Sequence, residues 1–149
     1  MGIFGRYGIL TALDVWTYAT RGMSQTRLLA LGPAVAVAAG AAVKGAYSQV
    51  VAALGVNVDG IMVRINRDPF GANSSNFLVD VAVGGAGAEV VVAEDIKANY
   101  IRDGAGQSFE EDFQIHVPNI KIAAGSRVAV RASSSAGAAN ITVEVCGSQ

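Results

Sequence analysis

The feature that most constrains this chain is the strict alternation in its last third. Phe113, Ile115 and Val117 alternate with Gln114 and His116. After a turn at Ala123-Ala-Gly-Ser126, Val128 and Val130 alternate with Arg127 and Arg131, and Ile141-Thr-Val-Glu-Val145 repeats the pattern. A period of two sends one set of side chains into a core and the other outward, which a helix cannot do, so each run predicts a half-buried strand. Three such strands in succession, separated by turn residues, point to an antiparallel β-sandwich rather than an α/β enzyme.

The same reading extends backward to Gly32. Strands are predicted at 34–39, 47–52, 58–65, 77–83, 89–93, 113–117, 127–132 and 141–146. Turn signals separate them: Gly40 and Gly45, Gly55-Val-Asn57, the stretch 67–75, Gly84-Gly-Ala-Gly87, Gly104 and Gly106, Gly125 and Gly137. Eight short strands at this spacing fit a jelly roll or a related sandwich. The stretch 94–112, rich in acidic residues, reads as a long polar connection. With 149 residues the chain suits one domain with a real core. The expected organisation is an N-terminal extended arm, 1–32, followed by a sandwich domain, 33–149.

Residues 1–32 lack a clean stripe of either period. They carry Phe4, Tyr7, Trp16 and Tyr18 among Gly2, Gly5, Gly8 and Gly22. An aromatic-rich segment with no core pattern of its own suits an arm that anchors on another surface, although packing on its own domain gives the same sequence. Charge separates along the chain. Residues 1–45 hold four basic residues (Arg6, Arg21, Arg27 and Lys44) against Asp14 alone, and the remainder holds seven basic against eleven acidic. The candidate partner interface is therefore Phe4, Arg6, Tyr7, Trp16, Tyr18, Arg21 and Arg27. Contact with a mildly acidic body, such as a neighbouring copy, would suit this segment. The field is too weak and too dispersed for nucleic acid. Only 15% of residues are charged and 52% are hydrophobic, which suggests that partners cover part of the surface.

Leu28 to Val43 is free of charge but is broken by Gly32, Pro33 and Gly40, which favours a strand and a turn over a membrane span. Candidate chemistry is sparse. Gly84-Gly-Ala-Gly87 is followed by Glu89-Val-Val-Val92, a strand, so the glycines mark a hairpin and not a phosphate loop. His116, the single histidine, and Cys146, the single cysteine, have no activating partner at a telling spacing. Glu110-Glu-Asp112 with Glu94 and Asp95 could offer carboxylates to a hard cation, but the spacing follows no EF-hand pattern and a solvated loop is the favoured reading. Arg127 and Arg131 share the polar side of one strand, as a solvated basic stripe or as partners of an acidic loop on another subunit. Asn73-Ser-Ser75 and Asn140-Ile-Thr142 match glycosylation acceptors, which matter only in a secreted protein. No catalytic residue, cofactor or metal is expected.

The segment Asn76-Phe-Leu-Val-Asp-Val-Ala-Val-Gly-Gly-Ala-Gly-Ala-Glu-Val-Val-Val92, followed by Val117-Pro-Asn-Ile-Lys-Ile-Ala-Ala-Gly-Ser-Arg-Val-Ala-Val-Arg131, resembles a jelly-roll-like domain of tailed-bacteriophage virion proteins. The shared pattern is a strand ending Asp-x-Ala-x-Gly, a glycine-rich hairpin with Glu, and a later Ala-Gly-Ser-Arg-Val. It spans about Lys44 to Cys146, and residues 1–32 fall outside it. The resemblance implies a non-enzymatic virion structural role in head decoration or cementing, the neck or collar, or a tail appendage. It implies assembly in the host cytoplasm as a homo-oligomer, a trimer or a larger ring, together with other virion proteins. Membrane, nucleic acid and small-molecule substrates have no part in it. The alternative is a tail-associated carbohydrate-binding sandwich for host adhesion. Phe70, Tyr100 and Phe109 with Asp68, Asp103 and Glu110 would then form its binding loops.

Overall fold

The structure is a computed structural model that describes residues 28–67, 75–100, 113–135 and 137–148. Every regular element among the described residues is a strand. In chain order these are β1 (Leu28–Ala30), β2 (Val35–Ala41), β3 (Ser48–Val51), β4 (Val58–Arg67), β5 (Ser75–Val83), β6 (Val90–Tyr100), β7 (Phe113–Ile122), β8 (Val128–Ser134) and β9 (Ala139–Ser148).

All eight predicted strands are present; on β9 the predicted alternation is the alternation of burial, whereas β8 is buried on both faces with Arg131 alone partly exposed. On β9, Ile141, Val143 and Val145 are fully buried, while Asn140, Thr142, Glu144 and Cys146 point away from the core. On β5, Phe77, Val79 and Val81 face inward. These branched and aromatic side chains interleave with Ile61 and Val63 of β4 and with Val128 and Val130 of β8 in one continuous core.

The pairings define two four-strand layers. Sheet I runs β2-β9-β4-β7, and β1 adds to β9 beside β2. Sheet II runs β3-β8-β5-β6. Numbering β2 to β9 as eight successive strands, the orders 1-8-3-6 and 2-7-4-5 are those of a double Greek key, the jelly roll. One detail departs from a purely antiparallel sandwich. After pairing with β9 over 35–39, β2 crosses to sheet II, where Gly40 and Ala41 lie parallel to Ser133 and Ser134 of β8. This short parallel link ties the layers at a corner and brings the β2–β3 connection over sheet II.

Two further differences from the sequence reading concern strand limits. β1 is too short to show a periodicity, yet it pairs with β9 and is followed by the buried Leu31. β6 continues past Ala93 to Tyr100, so Glu94 and Asp95 lie within a strand and not in a loop. The reason is a bulge. Val79 faces Ile96 and Val81 faces Ala93, so Asp80 alone opposes both Glu94 and Asp95. Asp95 takes up the extra residue with a positive φ of 52°. That region is uncommon for side-chain-bearing residues but is tolerated best by Asp and Asn. A polar residue with left-handed backbone hides the continuation of a strand from any pattern of period two.

The glycine-rich stretch is the hairpin that the sequence implied. The Ala88 N–H donates to the Gly85 carbonyl at 3.0 Å, and Gly84 and Gly87 have φ of 115° and 83°. Gly147 has another purpose. It faces inward on β9, and a Cβ there would meet Leu31 Cδ2 at 2.7 Å and Val58 Cγ2 at 2.8 Å. Its lack of a side chain lets both apolar groups close the core beneath β1.

Candidate functional site

The most organised set of polar side chains lies on the outer face of sheet II, and Asp80 is its centre. Asp80 and Arg131 are direct cross-strand partners on β5 and β8. Arg131 Nε donates to Asp80 Oδ2 at 2.9 Å. Lys44, delivered by the β2–β3 connection, donates to Asp80 Oδ1 at 2.5 Å, to the Leu78 carbonyl at 3.2 Å, and approaches Asp95 Oδ1 at 2.8 Å. The bulge turns the Asp95 N–H onto Asp80 Oδ1 at 3.0 Å. The Arg131 guanidinium stands over the Tyr47 ring, 4.7 Å from its centroid.

The Asp80 side chain is 1% exposed. Burial alone would raise its pKa, but the Asp95 N–H and the Lys44 and Arg131 donors outweigh it and hold the carboxyl below its usual range. The Arg131 guanidinium is raised in turn, chiefly by its bond to Asp80. Both Asp80 oxygens are occupied by donors from within the chain. This carboxylate is therefore held in its ionised form at neutral pH. Its chemistry is that of a tie joining β5, β6, β8 and the β2–β3 connection.

A second tie lies at the opposite end of the same face. Arg127 Nη1 donates to Glu89 Oε1 at 2.9 Å and to the Gly84 carbonyl at 3.2 Å, and Nε donates to Gln49 Oε1 at 3.0 Å. Glu89 Oε2 accepts the Gly87 N–H at 2.9 Å. Desolvation pushes the Glu89 carboxyl up, and the Arg127 hydrogen bond with the local backbone donors pulls it below its ordinary value. The β5–β6 hairpin is thereby held to the start of β8 and to β3.

Arg127 and Arg131 therefore form neither a solvated stripe nor the free half of an inter-subunit pair. Their partners are Glu89 and Asp80, within the same chain. Sequence reasoning missed Asp80, Lys44 and Tyr47 as members of one cluster. The only local sign was a single carboxylate inside the apolar run Phe77-Leu-Val-Asp-Val-Ala-Val83. Its partners sit 36 and 51 positions away, and register alone unites them.

The remaining candidates are separate from this cluster and from one another. His116 is exposed on β7, opposite Met62, and Lys121 is exposed farther along the same strand. Cys146 points outward from β9, and burial, with Glu144 beside it, raises its thiol against a smaller opposing pull from Arg64. Asn140 is exposed on β9. Among the described residues no group of three His, Cys, Asp or Glu could hold a metal ion, and no helix is long and apolar enough to cross a membrane. The proposed arm residues Phe4, Arg6, Tyr7, Trp16, Tyr18, Arg21 and Arg27 lie outside the described residues. So do Asp68, Phe70, Asn73, Arg102, Asp103, Phe109 and the acidic run 110–112.

No protein-family model matches the chain, and no curated protein matches its sequence. Solved structures that it is similar to include those of infectious bursal disease virus, strains Gx and Gt, at 12% and 10% identity and TM-scores of 0.39 and 0.38. Each alignment covers 84% of this chain and 32% of the viral chain, so this chain spans about a third of the proteins it matches. A likeness of that size carries no argument about activity, and the jelly-roll assignment rests on the strand order described above.

Proposed function

We propose that this chain is a non-enzymatic structural protein of a tailed-phage particle. It binds neighbouring copies and decorates or cements the capsid or neck, with the part of segment 1–32 that precedes β1 acting as the arm that lashes subunits together. The observation that supports this reading is the closed charge network of sheet II. Asp80, Glu89, Arg127 and Arg131 are used up in bonds inside the chain, which stiffens a jelly roll and leaves these groups no reacting partner. A stiff block joined to an aromatic arm suits a protein whose work is to hold position, and the motif resemblance over 44–146 points the same way.

The test is the Trp16→Ala variant. Its occupancy on purified particles, measured by mass spectrometry, is expected to fall in line with a loss of about 2–4 kcal/mol of binding at a packed aromatic anchor. Its melting temperature is expected to stay unchanged. Normal occupancy with a lowered melting temperature would show that the arm packs on its own domain and would end the lashing reading. The carbohydrate-binding alternative draws on the topology. β4 ends and β5 begins at the same end of the sandwich where β6 ends and β7 begins, so both of its loops leave from one rim. Specific signals on a glycan array would favour it.

A further inference from the structure

Two short segments expose apolar surface, and they lie at opposite ends of sheet II. The first is the β2–β3 corner, where Ala41, Ala42, Val43 and Ala46 are exposed, Val43 at 68%. The second is the β5–β6 hairpin, where Gly85, Ala86, Gly87 and Ala88 are exposed and Val90, opening β6, is 65% exposed. The Ala42 N–H donates to the carbonyl of Ser134, the last residue of β8. Val90 pairs with Val83, and Val83 pairs in turn with Val128, the first residue of β8. The length of β8 therefore separates the two segments, about 20 Å of strand.

Each segment has a single charged side chain, and the ties of sheet II engage it. Lys44 is held by Asp80 and Asp95, and Glu89 by Arg127. What the two segments leave at the surface is methyl groups and backbone. Both are also fixed in shape. At the corner, Ala42 has a left-handed backbone, φ 57°, which is unfavourable for a residue with a side chain and persists only where its surroundings impose it. Here the surroundings are close packing of backbone on backbone. A Cβ on Gly40 would strike the Val43 carbonyl, one on Gly45 would strike the Ala38 carbonyl, and the Gly45 N–H donates to the Ala132 carbonyl at 2.8 Å. Val43 is thereby held out as a rigid knob. The hairpin is its counterpart. Gly85 and Gly87 have open space where side chains would stand, so this surface consists of backbone, two alanine methyls and Val90.

We infer that copies of this chain associate head to tail through these two segments, with Val43 of one copy seated on the Gly85–Ala88 hairpin and Val90 of the next. The occupant is a second copy because one chain carries both halves, uncharged and preformed, at opposite ends of one layer. Such a contact is heterologous, and it repeats until the rotation per subunit closes a ring. Each contact uses few side chains, fewer than a stable interface of ordinary size, so cohesion comes from every subunit making two of them in the closed ring. This deepens the proposed function and rests on the part of it in which copies bind one another.

Disulfide trapping between introduced cysteines tests the contact. In a Cys146→Ser background, Val43→Cys and Val90→Cys combined in one chain are expected to give, on mild oxidation of concentrated protein, a ladder of linked oligomers that stops at the ring size. The two positions are too far apart to bond within one chain. Either substitution alone is expected to leave the chain unlinked, and an equal mixture of the two single variants is expected to give dimers that neither gives alone. Abundant dimers from one single variant would mean a two-fold contact and would overturn the head-to-tail one. So would the absence of mixed product from variants that keep the parent's melting temperature. Occupancy of the parent chain on particles, measured by mass spectrometry, separates this inference from the reading it rests on. Normal occupancy without a ladder removes the inference and leaves the virion role. A ladder, with the parent chain absent from particles, keeps the contact and removes the virion role.

Discussion

The two outer faces of this sandwich share a strand pattern and differ in how their polar side chains are used. On sheet II, Asp80 is fully enclosed by Lys44, Arg131 and the Asp95 N–H, and Glu89 is held by Arg127. On sheet I, Arg64 and Glu144 face each other across β4 and β9 at 3.7 Å, about a third exposed. Charges at a half-solvated sheet surface interact weakly, whereas a buried carboxylate with three donors is costly to disturb. Equal formal charge on two faces can therefore mean a lock on one and an ordinary wettable surface on the other. The difference arises because β2 crosses the corner and carries Lys44 onto sheet II.

The largest expected effect tests the strand faces on which this comparison depends. Val128→Asp places a carboxylate among Val81, Val130 and their neighbours at a site with no exposure, and is expected to cost several kcal/mol, enough to abolish soluble protein. Arg127→Asp, one residue earlier, turns a tie into a repulsion with Glu89 and is expected to lower the melting temperature by less. Equal losses would mean that the faces of β8 are misassigned.

Next comes the lock itself. Asp80→Ala leaves Lys44 and Arg131 without their shared acceptor. The expected cost is about 2–4 kcal/mol, toward the low side for a broken buried pair because both cations retain access to water. Chemical denaturation of the variant beside the parent measures it. A cost near that of a surface pair would show that sheet II is no better locked than sheet I.

Acid should separate the faces in the same sense. The folded-state pKa of Asp80 lies below its unfolded value. Its contribution is therefore complete above the ordinary carboxylate range, around pH 4 and upward, and is lost as pH falls through the folded value. Glu89 acts with the same sign. Melting temperature against pH is expected to fall below about pH 4, and the fall should be shallower in Asp80→Ala. A parallel curve for the variant would assign the acid sensitivity elsewhere.

The smallest effect belongs to sheet I. Glu144→Gln is expected to change stability by no more than about 0.5 kcal/mol, since the pair it removes is long and about a third exposed. A larger loss would erase the contrast between the faces.

Much of this was legible beforehand. The strands of the body were visible because their large apolar side chains keep to one face, which writes alternation directly into the residues; on β8 the other face is also buried, but it is filled by the small Ala129 and Ser133. The hairpin at Gly84–Gly87 was legible for a related reason, since positive φ at a tight turn is easiest for glycine. The site was not legible. Arg131 was recognised as an outward residue, but nothing near it names Asp80, and Lys44 lies in a connection with no pattern at all. β1 escaped because three residues cannot show a period. The second half of β6 escaped because the bulge at Glu94–Asp95 interrupts it.

By itself, then, the sequence determined the class of the protein. It specified an all-β body of short half-buried strands joined by glycine-rich turns. These are local properties, set by which side chains each strand can hide from water. The tertiary structure decided the order of the strands, the crossing of β2 between layers, and hence which charges meet. Pairings such as Asp80 with Arg131 and Lys44 depend on register between segments far apart in the chain. A one-residue slip in that register would send every one of those side chains to the other face. That long-range choice built the Asp80 lock on the outer face of sheet II.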